Sequence, residues 1–321
     1  MNDRELPRVL LRAPSGAARS SPFGDAAMAL AGLALSPVYL AWSALYATPG
    51  LEIRRRCGAL GLQQLFAVRN RLSAEQLVQL LVFPMDSVRY FEFDFAWRCV
   101  AGLPASRYLD VSSPRMLPLL LVRERPELHA TLLNPDCQDL PVTMQFARAM
   151  GIDRRCEFAS DVVDSVGLPE RSVDLVTSIS VLEHIPEDRG AVRKVWSLIK
   201  PGGRLILTVP CAAATFEQYV DQDKYGLLQP GADGFVFWQR YYDVRMLREK
   251  IFCTTGAPSQ MRVYGEKRPG SYARNVSQKM RSGRRYPFWR EPYMMGREYC
   301  YFDSIDDLPG MGVVGLEFVK D

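Results

Sequence analysis

Short apolar runs alternate with longer amphipathic segments between residues 107 and 210, and this alternation is the most regular pattern in the chain. Apolar runs of about four to eight residues that end at turn signals predict buried strands, whereas apolar positions three and four residues apart predict helices. The predicted strands occupy residues 107–112, 130–133, 156–159, 173–179 and 204–209, and the predicted helices include residues 142–150 and 187–199. Strands that alternate with helices indicate a parallel sheet covered by helices on both faces.

Serine and proline mark the start of the helix after the first predicted strand. Ser113 is expected to be the N-cap of this helix and Pro114 its first residue, because proline lacks an N–H group that the first turn would leave unpaired. Further along, Lys200-Pro-Gly-Gly203 predicts the turn that leads into the fifth strand.

Three segments of this region carry a family resemblance. Val173-Asp-Leu-Val176, Val181-Leu-Glu-His-Ile185 and Lys200-Pro-Gly-Gly-Arg-Leu-Ile-Leu207 resemble the class I S-adenosylmethionine-dependent methyltransferases, with a type 11-like methyltransferase domain. The resemblance implies an α/β fold with a Rossmann-like, seven-stranded, mostly parallel sheet and helices on both faces. Residues 260–264 and 312–319 would supply the last two strands, the final one antiparallel beside the fifth.

The loop after the first strand departs from this family pattern. The family usually has an acidic residue and then Gly-x-Gly, which lets the backbone approach the cofactor, whereas this chain has Asp110-Val-Ser-Ser-Pro-Arg115. The free N–H groups and partial positive charge of the following helix start would still suit a ligand carboxylate. S-adenosylmethionine is therefore the expected cofactor. The missing glycines favour, as the alternative, a non-catalytic methyltransferase-like binding or scaffold protein.

The resemblance also implies which residues contact the cofactor. Asp110 would lie near the methionine amine, with Ser112 and Ser113 in the loop beside it. Asn134 stands where the family usually has the acid for the ribose hydroxyls, which leaves Asp136 as the carboxylate for that role. The other implied contacts are Asp161 and Val162 at the adenine, and Ser178 and Ile179 along the donor.

Arg89 lies among aromatic residues shortly before the first strand and has two interpretations. It could form an ion pair with Glu92, three residues later, on a helix surface. The second interpretation is a cofactor-binding role, in which Arg89 holds the carboxylate bidentately and replaces the lost glycine contacts.

His184 is the candidate catalytic residue. Methyl transfer mainly requires that donor and acceptor are aligned, and a hydroxyl acceptor additionally requires a base within hydrogen-bond reach. His184 follows the fourth strand, on the cofactor side by the family pattern. The alternative is a histidine that fixes its loop by bonding to the backbone. The sequence shows no metal-ligand cluster, so no metal is expected.

Two inserts follow the fifth strand. Residues 212–243 are rich in aromatic residues and are expected to form a lid over the acceptor, because ligands bind beyond the carboxyl ends of such strands; a packing flap without a ligand is the alternative. The predicted substrate-binding residues of this lid are Tyr219, Tyr225, Trp238 and Tyr241.

The second insert, residues 266–300, is basic, with nine Lys and Arg against three Glu. Nucleic acid, anionic lipid headgroups and phosphorylated sugar carriers would all suit such a patch, as would a solvated loop. The whole chain carries a net charge of only +4, which is too small to indicate nucleic acid. Seven scattered cysteines without a Cys-x-x-Cys pair fit a reducing, cytoplasmic location.

The N-terminal part of the 321-residue chain is expected to precede the methyltransferase domain, residues 101–321. Residues 1–25 have the composition of a disordered basic tail, and residues 26–100 that of a helical region. Residues 26–48 are almost entirely apolar or small. Such a segment fits a helix packed on the domain, a membrane-surface helix or a true span.

The leading interpretation is an S-adenosylmethionine-dependent enzyme that O-methylates a glycan, a lipid-linked molecule or another small-molecule acceptor. Besides the scaffold protein, RNA methylation is an alternative that the basic insert alone favours, and nucleic acid is not the expected partner. If the apolar helix meets an anionic membrane surface, the protein would be peripheral at the inner face of the membrane. The sequence does not indicate an oligomeric state.

Overall fold

The computed structural model describes residues 6–12, 22–69, 71–222 and 226–321. Its strands are β1 Arg8–Leu11, β2 Arg107–Val111, β3 His129–Leu133, β4 Cys156–Ala159, β5 Val173–Ile179, β6 Ile199–Ala212, β7 Phe216–Val220, β8 Val236–Tyr241, β9 Gln260–Glu266, β10 Tyr299–Phe302 and β11 Met311–Val319. Its α-helices are α1 Pro22–Leu45, α2 Leu51–Leu65, α3 Ala74–Val82, α4 Arg89–Val100, α5 Met116–Glu124, α6 Asp139–Ala149, α7 Asp188–Leu198, α8 Val244–Leu247, α9 Cys253–Thr255, α10 Ser271–Ser282 and α11 Glu291–Glu298.

The central sheet has the strand order β10-β9-β11-β6-β5-β2-β3-β4. Strands β4, β3, β2, β5 and β6 are parallel, and β11 runs antiparallel between β6 and β9. The Rossmann-like, mostly parallel sheet is therefore confirmed, with the predicted seven strands in place. An eighth strand, β10, adds to the edge by antiparallel pairing with β9. It comes from the end of the basic insert, in which the sequence predicted no strand.

Helices cover both faces of this sheet and bury its apolar side chains. One core cluster includes Phe91 and Leu117, and the other includes Leu198 and Phe318, all of them almost fully buried. A Cβ atom on Gly315 of β11 would lie 2.6 Å from the ring of Phe95 in α4. Glycine at this position thus lets α4 lie directly on the sheet, next to the ends of the strands that form the site.

Helix α5 begins later than the sequence indicates. Its first residue is Met116, with Arg115 at the N-cap position, so the predicted start at Ser113 and Pro114 is wrong. Ser113 instead accepts a hydrogen bond on its Oγ from the N–H of Ile179, at 3.1 Å. The serine side chain is taken by the neighbouring strand β5, a long-range partner that local capping rules do not include.

A second, three-stranded sheet has the order β1-β7-β8. Strand β1 pairs in parallel with β7, so residues 8–11 of the expected disordered tail are ordered, and that part of the prediction is wrong. The segment gains its order from backbone hydrogen bonds to β7, which lies about two hundred residues away in sequence. Residues 1–5 and 13–21 of the tail lie outside the described residues.

The N-terminal helical region and the two inserts surround the central domain. Helices α1 to α4 fall within residues 26–100 as expected, although α1 begins at Pro22. The basic insert forms α10 and α11, and α1 packs against α11, α3 and the short 3-10 helix Phe288–Arg290. Within the described residues, Phe23–Leu45 is the one helix whose length and apolar composition would allow it to cross a membrane.

Candidate active site

A cavity of about 720 Å³ opens at the carboxyl ends of β2, β3 and β5. This volume lies within the ~300–1,000 Å³ range of small-molecule sites. Loops that follow the strands form one part of its wall, and aromatic residues from the lid and from the helical region form another. The predicted site residues that line it are Arg89, Ser112, Ser113, Asn134, Asp136, Val162, His184 and Trp238.

The loop between β2 and α5 contains no glycine, yet one of its residues has a backbone conformation that glycine usually adopts. Ser112 lies in the left-handed region, with φ at +52°, where a residue other than glycine costs on the order of 1 kcal/mol. Its N–H group and its Oγ both donate to the carbonyl of Leu133, at 2.8 and 3.0 Å. These two bonds to β3 hold Ser112 in this conformation and keep the loop close to the cavity.

Asp110 lies behind this loop rather than in the cavity wall. Its buried carboxylate accepts hydrogen bonds from the N–H of Ser113 at 3.0 Å, from Thr177 Oγ1 at 2.6 Å and from Tyr108 Oη at 3.2 Å. Burial raises the pKa of Asp110 to about 6, against the opposing effect of these donors. In this structure Asp110 therefore holds the loop, and its contact with the methionine amine stays a prediction.

Asn134 and Asp136 follow β3 and form a small hydrogen-bonded turn in the cavity wall. Asn134 Oδ1 accepts from the N–H of Asp136 at 3.0 Å, and its Nδ2 donates to Asp139 Oδ2 at 3.0 Å. Asp136 accepts from the N–H groups of Gln138 and Asp139, and so stabilises the start of α6. The structure thus places the Asn134 amide and the Asp136 carboxylate side by side. This arrangement is required if Asp136 is to replace the acidic residue that the family usually has at the position of Asn134.

Arg115 is a cation of the cavity wall that the sequence did not indicate. It pairs with Asp139, while its buried Nε has no hydrogen-bond partner among the described residues. Burial lowers the pKa of Arg115. A buried N–H donor without an acceptor is costly, so a carboxylate in the cavity would satisfy it. The signal in the sequence was its position directly after Pro114, in the loop that the family uses for the cofactor.

Arg89 fits both of its interpretations in part. It pairs with Glu92 three residues later, but Glu92 is fully buried, so the pair is not a surface one. Glu92 also accepts from Thr208 Oγ1 at 2.8 Å and from Ser180 Oγ. Arg89 lines the cavity with 27% of its side chain exposed. Arg89 therefore lies in the cavity wall while Glu92 holds its guanidinium in place.

His184 follows β5 and contacts the lid. Its Nδ1 donates to the carbonyl of Trp238 at 2.5 Å, and the two rings lie 4.6 Å apart. With the proton on Nδ1, Nε2 is the basic nitrogen of the neutral ring. The backbone-bonding interpretation of His184 is thus realised, and the same bond orients the ring in the cavity wall.

Glu183 is a buried carboxyl next to His184 that the sequence did not single out. Its Oε1 lies 3.9 Å from His184 Nε2, and its Oε2 has no hydrogen-bond partner among the described residues. Burial raises the pKa of Glu183 to about 8. A carboxyl group with so high a pKa near a histidine is a feature of functional sites, and the Leu-Glu-His segment was its signal in the sequence.

The lid strands β7 and β8 supply part of the cavity wall through Val220, Val236, Phe237 and Trp238. The predicted substrate-binding residues Tyr219 and Tyr241 do not line it. The ring of Tyr219 lies under Arg8 at 4.0 Å, and Tyr241 stacks on Phe216 at 4.3 Å. Side chains alternate between the two faces of a strand, which turns Tyr219 away and Val220 inward. Tyr225 lies outside the described residues.

Three other predicted contacts fall outside the cavity wall. The carboxylate of Asp161 accepts from the N–H of Val162 at 2.9 Å and from Ser165, so it holds its own loop, and Val162 reaches the cavity instead. Ser178 and Ile179 are buried inside β5, because residues within a strand face the helical layers. Ser180 and Val181, just beyond the strand end, line the cavity.

The lid is tied to the domain by a buried ion-pair network. Arg240 of β8 pairs with Asp188 at the start of α7 and with Glu217 of β7 at 2.9 Å. Tyr242 Oη donates to Asp188 at 3.0 Å. In the described part of the chain, His, Cys, Asp and Glu form no group that could hold a metal ion.

Comparisons with known proteins agree with this geometry. Residues 116–207 match the family model of a methyltransferase domain. A ubiquinone biosynthesis O-methyltransferase of Alkalilimnicola ehrlichii is 28% identical to this chain, over 39% of this chain and 50% of its own length. A protein with the same description from Xanthomonas campestris is also 28% identical, over 39% of this chain and 51% of its own length. The chain thus spans about half the length of the curated relatives it matches.

Among solved structures, the geranyl diphosphate C-methyltransferase of Streptomyces coelicolor, crystallised with Mg²⁺, geranyl diphosphate and S-adenosyl-L-homocysteine, is 12% identical. The aligned part covers 73% of this chain and 81% of that enzyme's chain, with a TM-score of 0.47. The matched residues 116–207 include α5 to α7 and strands β3 to β5, around which the cavity is built. The chain therefore carries a methyltransferase domain, matched over residues 116–207.

Proposed function

We propose that this protein methylates a hydroxyl group of a small acceptor with an apolar body, and that a lipid-linked molecule is the favoured type. The carrying observation is the position of His184, where the end of β5 meets the aromatic lid strand β8. A base at this junction serves an acceptor that lies against the lid. Phe83, Phe93 and Phe288 extend the aromatic wall, which suits an apolar acceptor better than a fully polar one.

The polar part of the wall fits the expected cofactor. S-adenosylmethionine, when bound, supplies an electrophilic methyl group on a positively charged sulfur. Arg115 and Arg89 are the cations that would hold its carboxylate, since Arg115 Nε lacks a partner among the described residues and Arg89 is partly exposed. Asn134 and Asp136 would bind its hydroxyl groups through the turn after β3.

His184 would accept the proton of the acceptor hydroxyl on Nε2, because its Nδ1–H is held by the carbonyl of Trp238. General-base assistance of this kind contributes ~10²–10⁴-fold. The lid covers this part of the cavity and limits access of water. The name of the relatives, which includes O-methyltransferase, supports a hydroxyl acceptor.

The function is tested in two steps with purified protein. Calorimetric titration with S-adenosylmethionine and with its demethylated product measures cofactor binding. Transfer of a radiolabelled methyl group is then followed to prenylated phenols, lipid-linked sugars, water-soluble glycans and RNA. We expect binding of both cofactor forms and transfer to an apolar acceptor. His184→Gln should slow this transfer by ~10²–10⁴-fold, while Arg193→Gln, at an exposed position on α7, leaves it unchanged.

Each outcome separates the alternatives. Failure to bind the cofactor would favour the scaffold protein, and salt-dependent transfer to RNA would favour RNA methylation. Transfer to water-soluble glycans alone would contradict the apolar acceptor but not the O-methylation.

A further inference from the structure

Helix α1 turns its small and polar residues toward the protein and its large apolar residues outward. Gly32, Ser36 and Ser43 form the buried stripe, and residues 26–45 include no charged side chain. The large apolar residues left at least 41% exposed are Phe23, Leu30, Leu33, Leu35, Val38, Trp42 and Leu45. A surface helix of a water-soluble protein has the opposite polarity, and an exposed apolar patch of this extent marks an interaction surface.

The protein holds α1 along its whole length. Asp25 lies 3.6 Å from Arg284, and a Cβ atom on Gly32 would lie 2.6 Å from Val82. Near the other end, the ring of Tyr39 lies 5.9 Å from that of Tyr293. A 24-residue helix is about 36 Å long. If α1 crossed a bilayer, the elements attached along it would enter the hydrocarbon, so its geometry suits a helix that lies in the plane of a surface.

The two ends of this apolar face carry groups that bind lipid headgroups. Near Asp25, the basic insert presents the exposed residues Arg281, Arg284 and Arg285. At the opposite end, aromatic rings cluster around Tyr293, with Trp42 at 5.7 Å and Tyr46 at 5.4 Å. Cationic clusters favour anionic lipid surfaces, and Trp and Tyr are enriched at the membrane interface.

We propose that α1 docks the protein in the plane of an anionic lipid bilayer, with its exposed apolar face in the acyl boundary and the Arg281–Arg285 cluster at the headgroups. An in-plane helix gains affinity from apolar burial and from attraction to anionic lipids together, and both features occur here on adjoining elements. A second copy of the chain would bury the apolar face equally, but the exposed arginines at one end of this face and the aromatic rings at the other match the headgroup and interface layers of a bilayer.

The buried side of helix α1 lies next to the cavity. Val82 and Trp289 contact α1 at Gly32, and the residues beside them in sequence, Phe83 and Phe288, line the cavity with their rings stacked at 4.9 Å. A single layer of side chains thus separates the helix from the site. The acceptor would accordingly be a molecule that resides in the bilayer, a step that rests on the proposed function.

Flotation with vesicles tests the docking. The full chain is mixed with vesicles of equal parts phosphatidylcholine and phosphatidylglycerol, or of phosphatidylcholine alone. We expect flotation with the mixed vesicles that high salt weakens, and a fall of about tenfold or more for the double variant Leu30→Glu, Leu33→Glu. Val319→Glu is the matched control, because Val319 is 41% exposed, against 42% for Leu33, and lies at the end of β11; it should float like the unchanged protein.

Two further measurements keep the outcomes apart. Titration with S-adenosylmethionine shows whether the double variant is folded, and a failure of the unchanged protein to bind it would count against the proposed function alone. In the presence of mixed vesicles, the double variant should lose transfer to a long-chain prenylated phenol but keep transfer to a short, water-soluble phenol. Absence of flotation, equal flotation of the double variant, or a dimer that the double variant dissociates without any vesicle binding would overturn the docking.

Discussion

Two buried carboxyl groups lie at the ends of neighbouring strands, Asp110 in β2 and Glu183 just beyond β5, and their surroundings differ. Asp110 accepts from one N–H group and two hydroxyl groups, whereas Glu183 Oε2 has no partner among the described residues. Burial raises the pKa of both, to about 6 for Asp110 and to about 8 for Glu183. Donors that favour the ionised form limit the rise at Asp110.

The difference assigns the two ends different tasks. Asp110 is satisfied by its own fold and stabilises the loop that faces the cofactor. Glu183 retains a proton near neutral pH and lies beside His184, whose ring reaches the lid. We therefore expect the end of β2 to serve binding and the end of β5 to serve proton transfer.

The sharpest test of this division is His184→Gln. It should lower the rate of methyl transfer by ~10²–10⁴-fold, because the acceptor hydroxyl loses its base, and leave the dissociation constant of S-adenosylmethionine unchanged. Single-turnover transfer to the acceptor found in the panel, together with calorimetry, measures both quantities. A rate within a few-fold of the unchanged protein would remove the proton-transfer role from the end of β5.

Asp110→Ala should mainly affect stability. It leaves the N–H of Ser113 and the hydroxyls of Thr177 and Tyr108 without their shared acceptor, and the expected loss in free energy of unfolding is about 3 kcal/mol. Urea unfolding measures this loss. Thr177→Val is the control, since it removes one of the three donors and should cost about 1 kcal/mol. Equal losses in the two variants would contradict the shared clamp.

Glu183→Gln should change how stability depends on pH. Between its ordinary pKa of 4.5 and its folded value of about 8, Glu183 is protonated in the folded protein and ionised in the unfolded one. Stability therefore falls as pH rises through this window, and the glutamine variant lacks this fall. We expect the variant to be more stable by about 5 kcal/mol above the window, with no difference below it, as followed by thermal unfolding. Parallel pH profiles would show that Glu183 is not held protonated.

Arg89→Ala should weaken binding of S-adenosylmethionine by about tenfold, through loss of a charge-assisted contact to its carboxylate. The charge of Arg89 also lowers the pKa of Glu183. Its removal in Arg89→Ala should therefore extend the fall in stability to higher pH, whereas Arg89→Lys keeps the charge and should keep the original profile; unfolding across pH compares the two variants. Unchanged affinity in folded Arg89→Ala would limit this residue to its pair with Glu92.

Much of the central domain could be predicted because its elements are encoded locally. Apolar runs and turn residues between residues 107 and 210 predicted the parallel strands, and the loop after Asp110 predicted where the cofactor site lies. Strands β1 and β10 were not predicted, because β1 lies in a basic tail without periodic apolar positions and β10 at the end of the basic insert, and each forms by pairing with a strand elsewhere in the chain. The cavity position of Arg115 and the burial of Glu183 are set by tertiary packing, which periodicity does not specify.

Helix α1 shows which of its features the sequence determined and which the tertiary structure decided. Its uncharged, apolar composition determined a helix long enough to meet a membrane. Composition is nearly uniform around this helix, so it could not indicate which side faces the protein. Packing decided that, because only the small residues of the Gly32 and Ser43 stripe allow α3 and α11 to approach closely, and the large apolar side chains are left outside.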